Sequence, residues 1–325
     1  MNRRQFLTAL GGVLALPRFA LAQQAERTYR LGWLGSATLR TEPYNIAFVE
    51  RLRELGFVEG RNLVIEYRGA QGRLDKLPEL AADLARQNCD VFLASGSEPV
   101  LAAIKQATRD TPIFVLANDY DPVATGHIAS LARPGGRITG VSQLQLELPA
   151  KRLELLKELL PKARRIAVFS DTTTAGQLEA VKAGAERLGV GLQVVEFKRA
   201  PYDYESAFAQ LRRAKAEGLL VLVSGFFAPA RRRISELALK HRLPSMFGNS
   251  LWVEAGGLVS YGPNFTALYR RAAEQVSMIL KGRKPADIPV EQPTVIELVI
   301  NRKTANVLGI TVPQSIALRT DRVIE

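Results

Sequence analysis

Apolar and polar positions follow two recurring patterns along this chain, each with its own period. Short apolar runs, such as Tyr29 to Gly35 and Pro112 to Ala117, are typical of buried strands. The segments between them, such as Tyr44 to Leu55, carry apolar residues at helical spacing and end at a glycine. Because strands and helices alternate, the pattern predicts parallel sheets that are covered by helices on both faces.

The alternating strands and helices fall into two consecutive series, and each series has about five strands. The first series ends with a short strand at Thr139 to Ser142, and a charged helix from Ala150 to Leu160 follows it. This order predicts an α/β fold with two doubly wound parallel-sheet lobes rather than one sheet. An eight-stranded barrel is the alternative architecture. Within the first series, Asp121 and Pro122 predict the start of a helix that ends before Pro134.

The last 65 or so residues are expected to cross between the lobes several times and to form a multi-strand hinge. We expect the first lobe to comprise residues 27–142 with about 260–290. The second lobe would comprise residues 143–259 with about 291–325. A hinge between two lobes creates a cleft, and we expect a ligand to bind there.

The first 22 residues have the composition of an export signal. Arg3 and Arg4 precede an apolar run from Phe6 to Leu16, and Ala20-Leu21-Ala22, with small residues at its first and last positions, suits cleavage after Ala22. The paired arginines resemble a twin-arginine signal. The apolar run is shorter than the roughly 20 residues that a membrane-spanning helix needs. We therefore expect a mature protein in the periplasm, where no pool of ATP or NADH is available.

Composition and charge describe an ordinary globular chain with a basic surface. Hydrophobic residues make up 47% of the sequence, and the formal net charge is +12. The basic residues are scattered, and short runs such as Arg164-Arg165 and Arg231-Arg232-Arg233 are not interleaved with aromatic residues. A groove for a nucleic-acid strand would need such aromatic residues. We therefore interpret these runs as solvated faces and expect no nucleic-acid partner.

Cysteine and histidine are too few for several kinds of site. Cys89 is the only cysteine, so neither an intramolecular disulfide nor a cysteine-based metal site is possible. It also does not follow the export signal, so we expect no lipid anchor. His127 and His241 are far apart in sequence and lack metal-ligand spacing. The sequence thus predicts no metal.

Small polar residues recur where the predicted strands end. In open parallel sheets, ligands lie beyond the carboxyl ends of the strands. Each such residue alone could be an ordinary helix N-cap, but their recurrence at nearly every strand end favours a binding cleft. Glycines there permit close backbone approach, and helix N-termini favour a carboxylate. The candidate ligand-binding residues are Ser36, Thr38, Ser95, Gly96, Ser97, Asp121, Ser142, Asp171, Thr173, Ser224, Gly225 and Asn249.

These candidates suit an amino acid or a related carboxylate. Asp121 or Asp171 could hold an ammonium group, and Phe226, Phe227 or Trp252 could supply an apolar wall. No G-x-S-x-G elbow, phosphate-binding loop or dinucleotide fingerprint is present in the sequence. We therefore expect no catalytic residues, no cofactor and no enzymatic activity.

Several long stretches resemble the bacterial ABC-transporter substrate-binding proteins of the tryptophan/tyrosine-type import family. The similarity covers essentially the whole chain, including the RRQFLTALGG leader. The other stretches that carry it are residues 52–84, 121–142, 151–169, 253–264 and 279–313.

The resemblance implies a type I periplasmic-binding-protein fold and a receptor that closes on a small-molecule ligand and delivers it to a membrane permease. The family's strand-end positions in the first lobe fall at Ser36, Ser95, Ser97, Asp121 and Ser142. The second lobe departs from the family pattern at Asp171-Thr172, at Ser224-Gly225-Phe226 and at Ser250-Leu251. We expect a monomer. A periplasmic sensory module and an exported enzyme are the alternatives that the sequence leaves open.

Overall fold

The first half of the chain forms a five-stranded sheet with helices on both faces. The computed structural model describes residues 27–36, 40–199 and 201–325. The predicted export signal at residues 1–22 lies outside this part of the chain. The elements in order are β1 (Tyr29–Gly35), α1 (Pro43–Glu54), β2 (Leu63–Gly69), α2 (Leu77–Ala85), β3 (Val91–Gly96), α3 (Glu98–Ala107), β4 (Ile113–Ala117) and β5 (Ile138–Ser142).

The second half of the chain forms a larger sheet. One helix in this half packs against the first sheet instead of the second. The first elements of this half are α4 (Leu148–Leu159), β6 (Arg165–Asp171), α5 (Ala175–Leu188), β7 (Gly191–Phe197), α6 (Tyr204–Arg213), β8 (Gly218–Val221), α7 (Arg231–Lys240), β9 (Ser245–Phe247), α8 (Ser250–Glu254) and β10 (Val259–Pro263). The last elements are α9 (Phe265–Leu280), β11 (Ile296–Asn301), α10 (Arg302–Leu308), α11 (Gln314–Ala317) and β12 (Arg322–Ile324).

The strand order repeats from one lobe to the other. The first sheet has the order β2-β1-β3-β4-β5, and all its neighbouring strands are parallel. The second begins with the same order, β7-β6-β8-β9-β10, and is extended by β11 and β12. Two separate doubly wound sheets confirm the predicted fold class and exclude the barrel. The second sheet is not wholly parallel, because β11 pairs antiparallel with β10.

Burial explains why these segments form central strands. All five residues of β4 are buried, as expected for a parallel strand that is covered on both faces. Helices α1 and α9 cover one face of the first sheet, and α2 and α3 cover the other. Helix α9 therefore belongs to the first lobe, although it follows ten elements of the second.

Three crossovers connect the lobes within the described residues: residues 143–147, the junction of Pro263 with Asn264, and residues 292–295. Strand β10 pairs with β11 as far as Pro263, so the second crossing comes slightly later than the expected position near residue 260. Arg152 is fully buried beside two of the crossovers. It donates to the Tyr261 carbonyl at 2.7 Å and to Gln145 Oε1 at 2.8 Å.

The helix predicted after Asp121 does not form. Residues 122–131 make consecutive turns instead, and Gly126 adopts a left-handed conformation with φ of 72°. A left-handed residue breaks the helical hydrogen-bond ladder, and glycine adopts this conformation at little cost. Three short elements, α8, α11 and β12, are not predicted from the sequence. No helix among the described residues combines the length and the apolar character that crossing a membrane requires.

Replacing Gly262 with alanine should destabilise the second lobe. A Cβ at this strand position would lie 1.9 Å from the Gly248 carbonyl oxygen, and 3.1 Å from Arg152 Nη2. Because the blocking atom belongs to the backbone, the sheet itself must shift, at a cost of at least about 2 kcal/mol. Chemical denaturation monitored by circular dichroism would measure this loss.

Gly191→Ala is the matched control, since its Cβ would meet only the Arg164 carbonyl oxygen, at 3.4 Å. Equal stability of Gly262→Ala and Gly191→Ala would contradict the described packing of β10.

Candidate functional site

A small cavity of about 40 Å³ lies where the carboxyl ends of the two sheets face each other. This is less space than a typical ligand-binding pocket offers, so the lobes must part slightly to admit a solute of amino-acid size. The first lobe contributes strand-end residues and side chains of α1 and α9, and the second lobe contributes the segments after β8 and β9. Both lobes therefore form its walls. We call this space the interlobe cavity.

Aromatic side chains form one wall of the interlobe cavity. The ring of Tyr44 on α1 lies 5.7 Å from that of Phe265 and 4.7 Å from that of Tyr269, both on α9. Burial raises the pKa of Tyr269 to about 12, while hydrogen bonds from Ser95 and Gln143 oppose that rise. The pKa of Tyr44 is also raised, chiefly by burial. Both phenols are thus neutral at physiological pH, and the wall is uncharged.

The polar side of the cavity is built from strand ends. Ser36 follows β1, and its backbone N–H donates to the Ser95 carbonyl at 3.2 Å. Gly96 has φ of +119°, and a Cβ there would lie 2.3 Å from Ser36 Oγ. Only glycine fits this position, because both its backbone conformation and its surroundings exclude a side chain. The close packing holds the ends of β1 and β3 at one edge of the cavity.

Gln143 presents an unused acceptor at the cavity. This residue begins the first crossover and is 3% exposed. Its Oε1 atom has no hydrogen-bond partner among the described residues. A buried amide oxygen without a partner is costly, so a ligand that donates a hydrogen bond here would gain affinity.

An ion pair joins the lobes across the cavity. Arg231 Nη1 at the start of α7 donates to Glu42 Oε2, just before α1, at 2.7 Å. The Glu42 side chain is 6% exposed and that of Arg231 is 25% exposed. Because the partners belong to different lobes, the pair can form only when the lobes are closed. The structure is therefore that of a closed state.

A second compartment of the cleft, about 200 Å³ in volume, lies beside the interlobe cavity. Ser97 and Asp119 line it from the first lobe, and Thr172 and Thr173 line it from the second. Burial raises the pKa of Asp119 to about 7, and the charge of Asp171 adds to this rise. We call this space the acidic compartment.

Asp171 lies between the two spaces. Its Oδ2 accepts a hydrogen bond from Ser224, which lines the interlobe cavity. Its Oδ1 accepts from the backbone N–H of Thr173 at 2.9 Å and from the Thr173 hydroxyl at 2.7 Å. Burial raises the pKa of Asp171, whereas these hydrogen bonds lower it. The carboxylate is thus held in place by neutral donors only.

The predicted binding residues divide into groups. Those that line the interlobe cavity are Ser36, Ser95, Gly96, Ser224, Gly225 and Asn249. Ser97 and Thr173 line the acidic compartment, and Asp171 lies between the two spaces. Thr38 lies outside the described residues. The remaining two, Asp121 and Ser142, line neither space.

Local structure explains the positions of Asp121 and Ser142. Asp121 is exposed, and its carboxylate caps a turn by accepting from the Val123 N–H at 2.8 Å. Ser142 is buried and donates its N–H to the Glu291 carbonyl at 2.9 Å, within the crossover region. Of the aromatic residues considered for an apolar wall, Trp252 lines the interlobe cavity, whereas Phe226 and Phe227 do not. Phe227 is fully buried in the second-lobe core.

Several cavity residues escaped the sequence analysis. Glu42 precedes a helix without any motif, and Arg231 belongs to a basic run that was interpreted as a solvated face. Tyr44, Phe265 and Tyr269 lie on helices and look like ordinary core positions. The sequence analysis assigns residues of about 260–290, which include α9, to the first lobe, but no local pattern shows that α9 packs against α1. Sequence alone therefore could not bring these rings together. The described residues contain no cluster of His, Cys, Asp or Glu that could hold a metal ion.

Comparisons with known proteins agree with this architecture. The family model for ABC transporter substrate-binding proteins matches residues 45–324. A tyrosine-binding protein from Clostridioides difficile is 28% identical over 265 residues, which cover 80% of this chain and 75% of that protein.

Two solved structures share the fold over nearly their whole length. A conserved domain protein from Vibrio cholerae has a TM-score of 0.80 and 26% identity, covering 91% of this chain and 100% of its own. An ABC domain from Streptococcus pneumoniae in complex with L-tryptophan has a TM-score of 0.76 and 24% identity, covering 90% and 100%. These likenesses confirm the type I periplasmic-binding-protein fold.

Glu42→Gln should open the protein in the absence of added ligand. The substitution removes a charge-assisted hydrogen bond between the lobes, worth about 1.5–3 kcal/mol. The ratio of closed to open molecules should then fall roughly tenfold or more. Small-angle X-ray scattering would detect this shift as a larger radius of gyration.

Glu50→Gln, an exposed position on the same helix, should leave the radius unchanged. If Glu42→Gln scatters like the unmodified protein, the ion pair does not hold the lobes together.

Proposed function

This chain belongs to the family of ABC transporter substrate-binding proteins, and we propose that it binds an aromatic amino acid in the interlobe cavity. The observation that carries the proposal is a cavity formed by both lobes, with uncharged aromatic side chains next to polar strand ends. The kinship with a tyrosine-binding protein supports the same class of solute.

The aromatic wall suits the ring of the solute. Edge-to-face contacts between rings add about 0.5–1.5 kcal/mol beyond the burial of their area. Tyr44, Phe265 and Tyr269 offer such contacts, and the open Gln143 Oε1 could accept from a phenol hydroxyl or an indole N–H. The polar head of the solute would then face the strand ends at Gly96 and Ser224. In this orientation the ring of the solute contacts the aromatic wall, and its polar head contacts the polar strand ends.

Closure of the lobes would couple binding to transport. Because both lobes line the cavity, a solute makes all its contacts only in the closed state and shifts the population toward it. A monomer of this kind would present the closed lobes to a membrane permease and release the solute unchanged. On this account the protein is a receptor without enzymatic activity.

The receptor would act in the periplasm after export and cleavage behind Ala22. The basic start, apolar run and small residues at the cleavage position support this location. Gln23 would then be the first residue of the mature protein, without a lipid anchor.

L-Tyrosine or L-tryptophan should stabilise the purified protein against thermal unfolding. A ligand at 100 times its Kd adds about 2.7 kcal/mol to the free energy of unfolding. L-Alanine lacks a ring and should give a much smaller shift. The solute should be recovered chemically unchanged after incubation, as measured by mass spectrometry.

A variant that fills the cavity locates the binding site. Ala228 lines the interlobe cavity, so Ala228→Trp should abolish the shift. Ala209 is exposed on α6, and Ala209→Trp should bind as the unmodified protein does. Binding that survives Ala228→Trp would refute the proposed site, and chemical conversion of the solute would refute the receptor function.

Export should depend on the arginine pair rather than on positive charge alone. Replacing both Arg3 and Arg4 with lysine keeps the charge but removes the twin-arginine motif, so the uncleaved precursor should accumulate in the cytoplasm. Arg18→Lys should be exported normally. Cell fractionation and N-terminal sequencing would follow both proteins, and normal export of the double variant would contradict a twin-arginine signal.

A further inference from the structure

The acidic compartment buries negative charge from both lobes without a cation. Asp119 follows β4 in the first lobe, and Asp171 ends β6 in the second. Among the described residues, no lysine, arginine or histidine is a main influence on the pKa of either carboxylate. Like charges that approach one another in a desolvated place are unfavourable. Closure of the lobes therefore brings two carboxylates together without a counter-charge. A positively charged group in the compartment would supply that counter-charge.

The neighbouring charges do not supply that group. Glu98 at the start of α3 is paired with His127, whose Nε2 lies 2.8 Å from Glu98 Oε1. Lys105 Nζ lies 3.0 Å from the other ring nitrogen of His127. His127 and Lys105 thus lie on the side of Glu98, and the Glu98 carboxylate still raises the pKa of Asp119. Tyr120, Tyr202 and Tyr204 also lie near the two aspartates, and all three have raised pKa values, mainly because of burial.

A second observation at the same place points to a ligand. Ser97 lines the acidic compartment and is 5% exposed, and its Oγ has no hydrogen-bond partner among the described residues. Ser97 occupies the N-cap position of α3, yet its hydroxyl makes no capping bond. A buried hydroxyl is normally satisfied. This one is free to accept a hydrogen bond from a group that enters the compartment.

We propose that the acidic compartment receives the protonated amino group of the solute, between Asp119 and Ser97. An ammonium group carries one positive charge and three donors, which match a carboxylate and a free hydroxyl. The assignment rests on the proposed function, since an amino acid supplies this group next to its polar head. Asp171 accepts hydrogen bonds from residues that line both spaces, so the acidic compartment adjoins the cavity in which the ring of the solute would lie.

The experiment compares L-tyrosine with 3-(4-hydroxyphenyl)propionate, the same molecule without its amino group. Isothermal titration calorimetry would measure both Kd values for the unmodified protein and for Asp119→Asn. L-Tyrosine should bind the unmodified protein at least about 30-fold more tightly than the analogue, since it alone pairs the buried charge. In Asp119→Asn this preference should fall to a few-fold, mainly because L-tyrosine binds more weakly. Asp287→Asn, an exposed aspartate remote from the cleft, is the matched control.

The pH dependence adds a readout that a merely structural role of Asp119 would not move. Without an ammonium group, closure should favour protonated Asp119, so the analogue should bind more tightly below about pH 7 and lose affinity as the pH rises through that value. L-Tyrosine should show no such loss, because its ammonium stabilises the carboxylate. The pH dependence of the analogue should be absent in Asp119→Asn, which separates Asp119 from His127.

The outcomes distinguish the two proposals. If neither L-tyrosine nor L-tryptophan binds the unmodified protein, the proposed function fails. If L-tyrosine binds but Asp119→Asn keeps both its affinity and its preference over the analogue, the ammonium site is refuted while the receptor function stands. Ser97→Ala keeps the charge of Asp119, and it should raise the Kd of L-tyrosine by a smaller factor, about five- to tenfold. An unchanged Kd in Ser97→Ala would remove Ser97 from the site.

Discussion

The structure depends on one constraint: two parallel sheets end at the same gap, and the polar groups at their strand ends need partners when that gap closes. In the interior of each sheet, neighbouring strands satisfy the backbone. At the gap between the lobes, no neighbouring strand continues this pattern of backbone hydrogen bonds. The residues there, such as Ser95, Gly96 and Ser224, are accordingly small and polar. A solute that supplies the missing partners is what makes closure favourable.

Charged residues at the cleft have opposite effects on closure of the lobes, so closure depends on both the protein and the solute. Glu42 and Arg231 pair directly and stabilise the closed lobes from within the chain. No lysine, arginine or histidine in the described part of the chain is a main influence on Asp119 or Asp171, and on our proposal these two carboxylates oppose closure until a solute supplies a cation. A receptor with both features can visit the closed state unaided but is held there by a solute that carries positive charge. This balance would permit reversible capture and release.

Much of the fold could be predicted from the sequence, because each strand is a short apolar run between helical segments. The predicted strand Tyr29–Gly35 is observed with the same bounds. The strand ends at Ser95, Gly96, Ser224 and Asn249 were also predicted to face a cleft, and they line the interlobe cavity. Whether they contact a ligand remains a prediction.

The rest of the site could not be predicted, because it depends on contacts between distant segments. The aromatic wall needs α9 to return to α1, and Glu42 meets Arg231 only through closure of the lobes. Asp121 looked like a ligand residue because it follows a strand, but its carboxylate is used by a turn. Asp119, two residues earlier, lines the acidic compartment instead. Which of these two aspartates faces the cleft depends on the path of the backbone after β4. No local sequence pattern encodes that path.

Hydrogen–deuterium exchange with and without L-tyrosine tests the central claim most directly, namely that one solute is held by the strand ends of both lobes. The account predicts slower exchange at the segments after β3 and β4 in the first lobe and after β8 in the second, all in the same titration. Protection confined to one lobe, or located away from these strand ends, would contradict it.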